Sequence, residues 1–235
     1  ISSSYFTDLS SGLGIRQFYA FGISQTNPVV MTGGAQDNGS VTRTSAGIWR
    51  DWLGGDGMEG FVDKTNSQTI YGTAQNGSLN KSLDGGVTRI GISSPESKEG
   101  NWVTPFEQDP VAVDVIYAGY DQVYKSTDQG DNWTPISQLF SLKLNQLKIS
   151  PSVPTTMYAA HSDKIFKTTT GSGTWAELTS YTGGYVNSIA IHPTDPNKVA
   201  VATTGTEHVY VTTDGGTSWT SYKYDLPNFS ALAVV

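Results

Sequence analysis

A short motif recurs five times along the chain at nearly constant spacing, and this repetition constrains the fold more than any other feature. The best copies are residues 126–133 (STDQGDNW) and 212–219 (TTDGGTSW). Residues 82–89 end in Arg89 instead of Trp, and residues 168–175 and 44–49 are degenerate copies. The copies end at positions 49, 89, 133, 175 and 219, so the steps are 40, 44, 42 and 44 residues. This period, with strand-like sequence between copies, predicts an all-β fold, a β-propeller of four-stranded antiparallel blades.

Composition agrees with this fold class and excludes several partners. Only 15% of the 235 residues are charged, whereas 26 are glycine and 11% are aromatic, which is typical of short strands and tight turns. The net charge is −7 and the 14 Lys and Arg residues are scattered, so a nucleic-acid backbone would be repelled. Without cysteine there are no disulfides or thiolate metal sites. No apolar run is long enough to span a membrane, and we predict neither membrane insertion nor a cofactor.

The repeat divides residues 1–235 into one propeller domain with five complete blades, at approximately 15–53, 57–93, 101–137, 143–179 and 185–223. In the third unit we predict strand A at 102–106, B at 114–119, C at 123–126 and D around 132–136. The motif then lies between strands C and D. Its Asp accepts backbone N–H bonds, its Gly supplies a positive φ, and its Trp folds back with the indole N–H on a local acceptor. These roles are structural, and they fall on Asp84, Asp128, Gly130, Trp133, Trp175, Asp214, Gly216 and Trp219.

The pattern Ser-x-Asp-x-Gly-x-x-Trp resembles the Asp-box, also called the bacterial neuraminidase repeat. Propellers with this repeat include sialidases, xyloglucanases, sortilin-type receptors, photosystem II assembly factors and many secreted bacterial proteins. The resemblance extends over essentially the whole chain. It implies a propeller whose motifs lie on the outer rim, away from the active face, and a secreted or bacterial cell-surface location. It implies little about activity.

Partial strands flank the five units. Residues 4–9 have the pattern of an outer strand D, and residues 230–235 that of an inner strand A. The B and C strands that would join them into one blade are missing. Because a propeller closes to remove its exposed sheet edges, we expect a segment of a longer protein with six to eight blades and further domains.

Polar residues that could meet a ligand fall in the B–C turns and in the loops from D to the next A. Both sets lie on one face, around the mouth of the central channel. Asp37 and Asp56 come from adjacent loops and are the candidate catalytic pair, because a glycosidase places two carboxyl groups across a glycosidic bond. Alternatively, both residues tie the loop backbones together, since Asn-Gly and Asp-Gly are preferred in tight turns. The ligand-binding candidates are Gln36, Asp37, Asn38, Asp56, Glu59, Asn76, Tyr120, Asp121, His161 and Glu207.

Metal binding and aromatic stacking are weaker alternatives. Asp37, Asn38 and Asp56 could ligate a cation through oxygen, but their spacing matches no known calcium loop, so we predict no metal site. His161 and His208 could face a ligand, whereas His192 belongs to a repeated turn and is structural. Several aromatic residues could stack on sugar rings or fill the interfaces between blades: Trp52, Trp102, Tyr120, Tyr181 and Tyr185.

Three functions are compatible with these residues. The first is a non-catalytic binding or structural propeller that contacts protein or polysaccharide through the B–C and D–A loop face. The second is a glycoside hydrolase, of endo-glucanase type rather than sialidase. A sialidase requires a cluster of three arginines and an Arg-Ile-Pro motif, whereas this chain has only Arg16, Arg43, Arg50 and Arg89 and no such motif. The third is an assembly or sorting factor, although the arginine-rich patch expected of the photosystem type is absent.

Overall fold

The computed structural model describes residues 16–204, 207–223 and 229–235. In these residues it contains five four-stranded sheets and no α-helix. We number the sheets as blades 1 to 5. Blade 1 consists of β1 (Phe18–Ile23), β2 (Met31–Ala35), β3 (Gly39–Arg43) and β4 (Trp49–Leu53); blade 2 of β5 (Gly57–Val62), β6 (Ile70–Ala74), β7 (Ser78–Ser82) and β8 (Ile90–Gly91). Blade 3 consists of β9 (Phe106–Gln108), β10 (Ile116–Gly119), β11 (Val123–Ser126) and β12 (Thr134–Pro135); blade 4 of β13 (Gln146–Ile149), β14 (Met157–His161), β15 (Lys164–Thr168) and β16 (Ala176–Glu177). Blade 5 consists of β17 (Val186–Ile191), β18 (Val199–Thr203), β19 (Val209–Thr212) and β20 (Thr220–Tyr222).

Each blade is an antiparallel meander in which the strands pair in chain order. The first strand of each blade contacts the first strand of the next, in the series β1, β5, β9, β13 and β17. These five strands are therefore the inner strands, and the blades follow one another in chain order along this series. The predicted all-β fold of four-stranded antiparallel blades is confirmed.

The core consists of layers between neighbouring blades. The layer between blades 3 and 4 includes Tyr117, Leu147 and Trp175, and the layer between blades 2 and 3 includes Tyr71 and Phe106. Further layers lie between blades 4 and 5 and between blades 1 and 2. Because both faces of an internal blade are covered in this way, the B strands of blades 2, 3 and 4 are completely buried.

Three strand predictions need comment. Residues 102–105 are not in a strand, and β9 begins only at Phe106, because Thr104 donates its hydroxyl to the Asn101 carbonyl at 2.7 Å and closes a turn. Residues 230–235 are not assigned to a strand either. They nevertheless run beside blade 5, where Ala231 N–H donates to the Thr203 carbonyl and Asn187 Nδ2 donates to the Ala231 carbonyl. The strand predicted at 4–9 lies outside the described residues.

The repeated motif forms a compact hydrogen-bonded turn between strands C and D. In blade 3, Ser126 donates its hydroxyl to Asp128 Oδ1 at 2.7 Å and accepts the Gly130 N–H at 2.8 Å. Asp128 also accepts the backbone N–H and the side-chain amide of Asn132. The equivalent contacts occur at Asp84 and Asp214. The hydrogen bonds from Asn132, with that from Ser126, lower the pKa of Asp128 to about 2, so the clamp stays ionised over the working range of pH.

In blades 3 and 4 the motif also attaches the blade to the preceding one. Trp133 Nε1 donates to the Ser93 carbonyl of blade 2, and Trp175 Nε1 donates to the Ile136 carbonyl of blade 3, each at 3.1 Å. The prediction of a local acceptor is therefore wrong, because these acceptors lie about one repeat upstream. Gly130 has a φ of 96°, and a Cβ there would lie 2.6 Å from Ile92 Cγ2 of blade 2. The glycine is required by the turn and by the approach of the neighbouring blade.

Candidate functional site

The Asp37 and Asp56 loops are adjacent, as the sequence predicts, and they are joined by a hydrogen bond. Asp56 Oδ1 accepts the backbone N–H of Asp37 at 2.6 Å, and Gln75 Oε1 accepts the N–H of Asp56 at 3.1 Å. Asp37 has a φ of 58°, the left-handed conformation expected at a tight B–C turn. The Asp56 carboxylate thus orders the backbone of the neighbouring loop, which is the structural alternative weighed above.

Other predicted residues of this face make backbone contacts that stabilise their loops. Asn38 Nδ2 donates to the Gln36 carbonyl, and the Asn38 carbonyl accepts a bond from Arg16. Asn76 has a φ of 60°, and its carbonyl accepts the N–H of Gly100 in the loop before β9. These contacts hold the B–C turn of blade 2 against the loop between blades 2 and 3.

Several candidate ligand-binding residues are buried and belong to the core. Tyr120 is completely buried and donates its hydroxyl to the Gly77 carbonyl at 2.7 Å. Trp52 and Tyr181 are also buried, and they pack between blades. His161 and His208 are each only 2% exposed, and His161 Nε2 lies 3.3 Å from Ser141 Oγ. None of these side chains is open to a large ligand. Glu207 is half-buried at the start of the hairpin into β19.

A polar and aromatic cavity lies where the inner strands begin, and we call it the mouth pocket. Its volume is about 350 Å³. Tyr19, Trp102 and Tyr185 are 39%, 47% and 43% exposed, and Trp102 Nε1 donates to the Tyr19 hydroxyl at 3.4 Å. The residues that line it come from the five inner strands or the loops that precede them: Tyr19, Glu59, Asn101, Trp102, Val103, Asn145, Gln146, Tyr185 and Asn187.

Hydrogen-bond acceptors are concentrated on the blade 4 and blade 5 side of the mouth pocket. The side-chain amides of Asn145 and Gln146 donate to the backbone carbonyls of Val186 and Asn187. Each bond uses one amide N–H and leaves the amide oxygen of the same side chain as an acceptor. Asn145 Oδ1 is buried and has no hydrogen-bond partner in the structure. A buried acceptor without a partner costs free energy, and the amide groups of this wall can accept hydroxyl hydrogens from a ligand that reaches them.

Glu59 is the ionisable group of the mouth pocket. Burial raises its pKa to about 7, although Lys148 acts in the opposite direction and Glu107 adds to the increase. Lys148 forms an ion pair with Glu107, and both line a second cavity of about 490 Å³ at the other ends of the inner strands. The ion pair therefore lies farther along the channel than Glu59, between strands β9 and β13. Near neutral pH, Glu59 can donate a proton or a hydrogen bond, which an ordinary glutamate cannot.

Asp121 lies at the edge of a separate groove of about 520 Å³, where it forms an ion pair with Lys98 at 3.0 Å. Within the described residues, no cluster of three or more His, Cys, Asp or Glu side chains could hold a metal ion. No helix among the same residues is long and apolar enough to cross a membrane.

Of the residues that line the mouth pocket, the sequence predicted Glu59, Trp102 and Tyr185 as candidates. It missed Tyr19, Asn101, Asn145, Gln146 and Asn187. The available signal was positional: polar or aromatic residues at or just before the start of each inner strand. The sequence predicts the inner strand of blade 3 from residue 102, whereas β9 begins at Phe106, so Asn101 and Trp102 lie in a loop.

Solved structures with this fold include glycoside hydrolases. An ancestral GH74 enzyme matches with a TM-score of 0.73 and 17% identity over 92% of this chain and 32% of its own. The GH74 xyloglucanase from Xanthomonas campestris matches with a TM-score of 0.67 and 16% identity, over 87% of this chain and 38% of its own. YCF48 from Cyanidioschyzon merolae matches with a TM-score of 0.56 and 12% identity, over 88% of this chain and 84% of its own. At these identities the likeness shows a β-propeller fold and no more, and the chain spans about a third of the length of the GH74 enzymes.

Residues 121–231 match the family model described as "Sortilin, neurotensin receptor 3" (Sortilin-Vps10). This match covers the last part of blade 3 and blades 4 and 5. No curated protein matches the chain. The chain is therefore a β-propeller similar to sortilin-type and GH74 propellers, and its own activity has to be argued from its site.

Proposed function

We propose that the chain is a non-catalytic propeller of the Asp-box type that binds polysaccharide at the mouth pocket. The observation that carries this proposal is the pocket's composition: it is lined by three partly exposed aromatic rings and by the side-chain amides of Asn145, Gln146 and Asn187. Aromatic rings can stack on the apolar face of a sugar, while acceptors orient its hydroxyl groups. A protein partner would instead contact the wider face formed by the B–C and D–A loops.

The geometry around Asp37 and Asp56 supports a binding role over catalysis. Asp56 already accepts the Asp37 N–H, and its own N–H is held by Gln75. Both residues thus contribute to the order of adjacent loops. We propose an extracellular or bacterial cell-surface location on the basis of the resemblance to secreted proteins with this repeat. Fractionation of cells that carry the full-length protein tests the location.

The binding proposal can be tested with a glycan array followed by titration calorimetry on the selected glycan. Removing one aromatic contact costs about 1.4 kcal/mol, which is about tenfold in affinity. We expect Trp102→Ala and Tyr185→Ala each to weaken binding by about this factor. Trp49→Ala is the matched control, because Trp49 is 49% exposed but lies on β4, outside the pocket lining. Binding that survives both pocket variants unchanged, or an array without a ligand, contradicts the proposal.

A glycoside hydrolase is the second candidate, and the raised pKa of Glu59 is the observation that favours it. A carboxyl group that remains protonated near pH 7 can act as the general acid of such an enzyme. We would then expect release of reducing sugar from a polysaccharide, lost in Glu59→Gln and retained in Asp56→Asn. Binding without release of sugar supports the non-catalytic proposal.

A further inference from the structure

The mouth pocket is bounded both laterally and along the channel. The loop before β9 and strand β1 meet at the hydrogen bond between Trp102 Nε1 and the Tyr19 hydroxyl. Farther along the inner strands, the Lys148–Glu107 ion pair belongs to the second cavity. The Trp102–Tyr19 contact bounds the pocket at one side and the ion pair lies beyond its inner end, so the pocket can hold the end of a glycan chain.

The size of the pocket limits how much of a glycan it can enclose. Its volume of about 350 Å³ is at the lower end of the range of roughly 300–1,000 Å³ found for small-molecule sites. This leaves room for one or two sugar rings against the aromatic residues. The acceptor wall of Asn145, Gln146 and Asn187 then lies beside those rings, where it can accept their hydroxyl hydrogens.

The charges around the pocket disfavour an acidic sugar. Its lining contains no Lys or Arg among the residues that the structure describes. The cation that acts on Glu59 is Lys148, which is already paired with Glu107. An acidic sugar would therefore meet Glu59 and no cationic side chain of the lining, in a chain whose net charge is −7.

From these boundaries, this volume and this charge we infer that the mouth pocket recognises the uncharged terminal one or two units of a glycan, which enters end-on. This inference rests on the proposed function. It adds that the ligand is a neutral glycan and that the pocket binds the end of the glycan chain, not its middle.

Oligosaccharide ladders of one to six units test the inference by calorimetry. One ladder is prepared from the neutral polysaccharide that the array selects, and the other consists of oligogalacturonides. We expect the neutral ladder to reach its final affinity, within twofold, at two units. We expect oligogalacturonides to bind at least tenfold more weakly than neutral oligosaccharides of equal length.

The outcomes distinguish this inference from the proposed function. An affinity that grows tenfold or more between two and six units indicates a groove that holds the middle of a chain, and it overturns end-on entry. Equal or tighter binding of oligogalacturonides, or an array that selects only acidic polysaccharides, overturns the neutral class while glycan binding stands. An array without any ligand removes the proposed function, and the inference fails with it.

Discussion

The glycine at the fifth position of the repeated motif should be required mainly because the neighbouring blade packs against it. Two alanine substitutions can separate the cost of this packing from the cost of backbone strain. Gly130 is the fifth residue of the motif in blade 3 and Gly173 the sixth residue of the motif in blade 4, and both have a positive φ, 96° and 82°. Alanine at either position costs about 1–2 kcal/mol for the left-handed conformation. Only at Gly130 does the new Cβ meet a neighbour, 2.6 Å from Ile92 Cγ2, whereas nothing lies within 4 Å at Gly173. Overpacking of this kind costs a further ~1–3 kcal/mol.

We therefore expect Gly130→Ala to lower the free energy of unfolding by about 2–5 kcal/mol and Gly173→Ala by about 1–2 kcal/mol. Urea denaturation followed by tryptophan fluorescence measures both values. Adding Ile92→Ala should recover part of the loss in Gly130→Ala and none in Gly173→Ala, as a double-mutant cycle would reveal. Equal losses for the two glycine variants, without recovery, would refute an inter-blade role for this glycine.

Three further predictions concern other contacts. Glu59 has a pKa of about 7 in the folded protein and an ordinary value of 4.5 in the unfolded chain. Between these pH values the folded state binds more protons than the unfolded state. The free energy of unfolding therefore falls by up to about 3 kcal/mol as the pH rises through this range. Urea denaturation at pH 5 and pH 8 should show this decline, and Glu59→Gln should reduce it; an unchanged slope counts against a buried carboxyl group. Trp175→Phe loses an inter-blade hydrogen bond, whereas Trp219 Nε1 is buried and has no partner to lose. In the same assay, Trp175→Phe should therefore lower the free energy of unfolding by at least about 1 kcal/mol more than Trp219→Phe. Asp56→Asn keeps an acceptor for the Asp37 N–H and should be nearly neutral, whereas Asp56→Ala should cost about 1 kcal/mol; equal thermal stability of the two variants would contradict the loop role.

The fold could be predicted because the same local physics is repeated in every blade. A serine or threonine, an aspartate and a glycine at fixed spacing can satisfy one another within a single turn, as Ser126, Asp128 and Gly130 do. Such contacts involve residues two to four positions apart, so they are visible in the sequence. The contacts of Trp133 and Trp175 were predicted wrongly because their acceptors lie on another blade, about one repeat away.

The candidate site was less predictable because its members are brought together only by the arrangement of the blades. Tyr19 and Trp102 are 83 residues apart in sequence yet share a hydrogen bond. Tyr120 has the sequence context of an exposed turn, but its ring fills the layer between blades 2 and 3. Exposure of an aromatic residue in this fold depends on where the next blade lies, which no local pattern specifies.

The division between repeated and variable positions accounts for where specificity can reside. Asp84, Asp128 and Asp214 make the same contacts in three blades, so their geometry cannot distinguish one ligand from another. The first residues of the inner strands differ from blade to blade and supply an aromatic ring, a carboxyl group or an amide to the mouth pocket. The motifs stabilise the turns between strands C and D, and in blades 3 and 4 their tryptophans donate hydrogen bonds to the preceding blade. The mouth pocket, in contrast, lies at the start of the inner strands. Substitutions at Trp102 and Tyr185 should therefore alter binding with little loss of stability, and substitutions in the motifs should do the reverse.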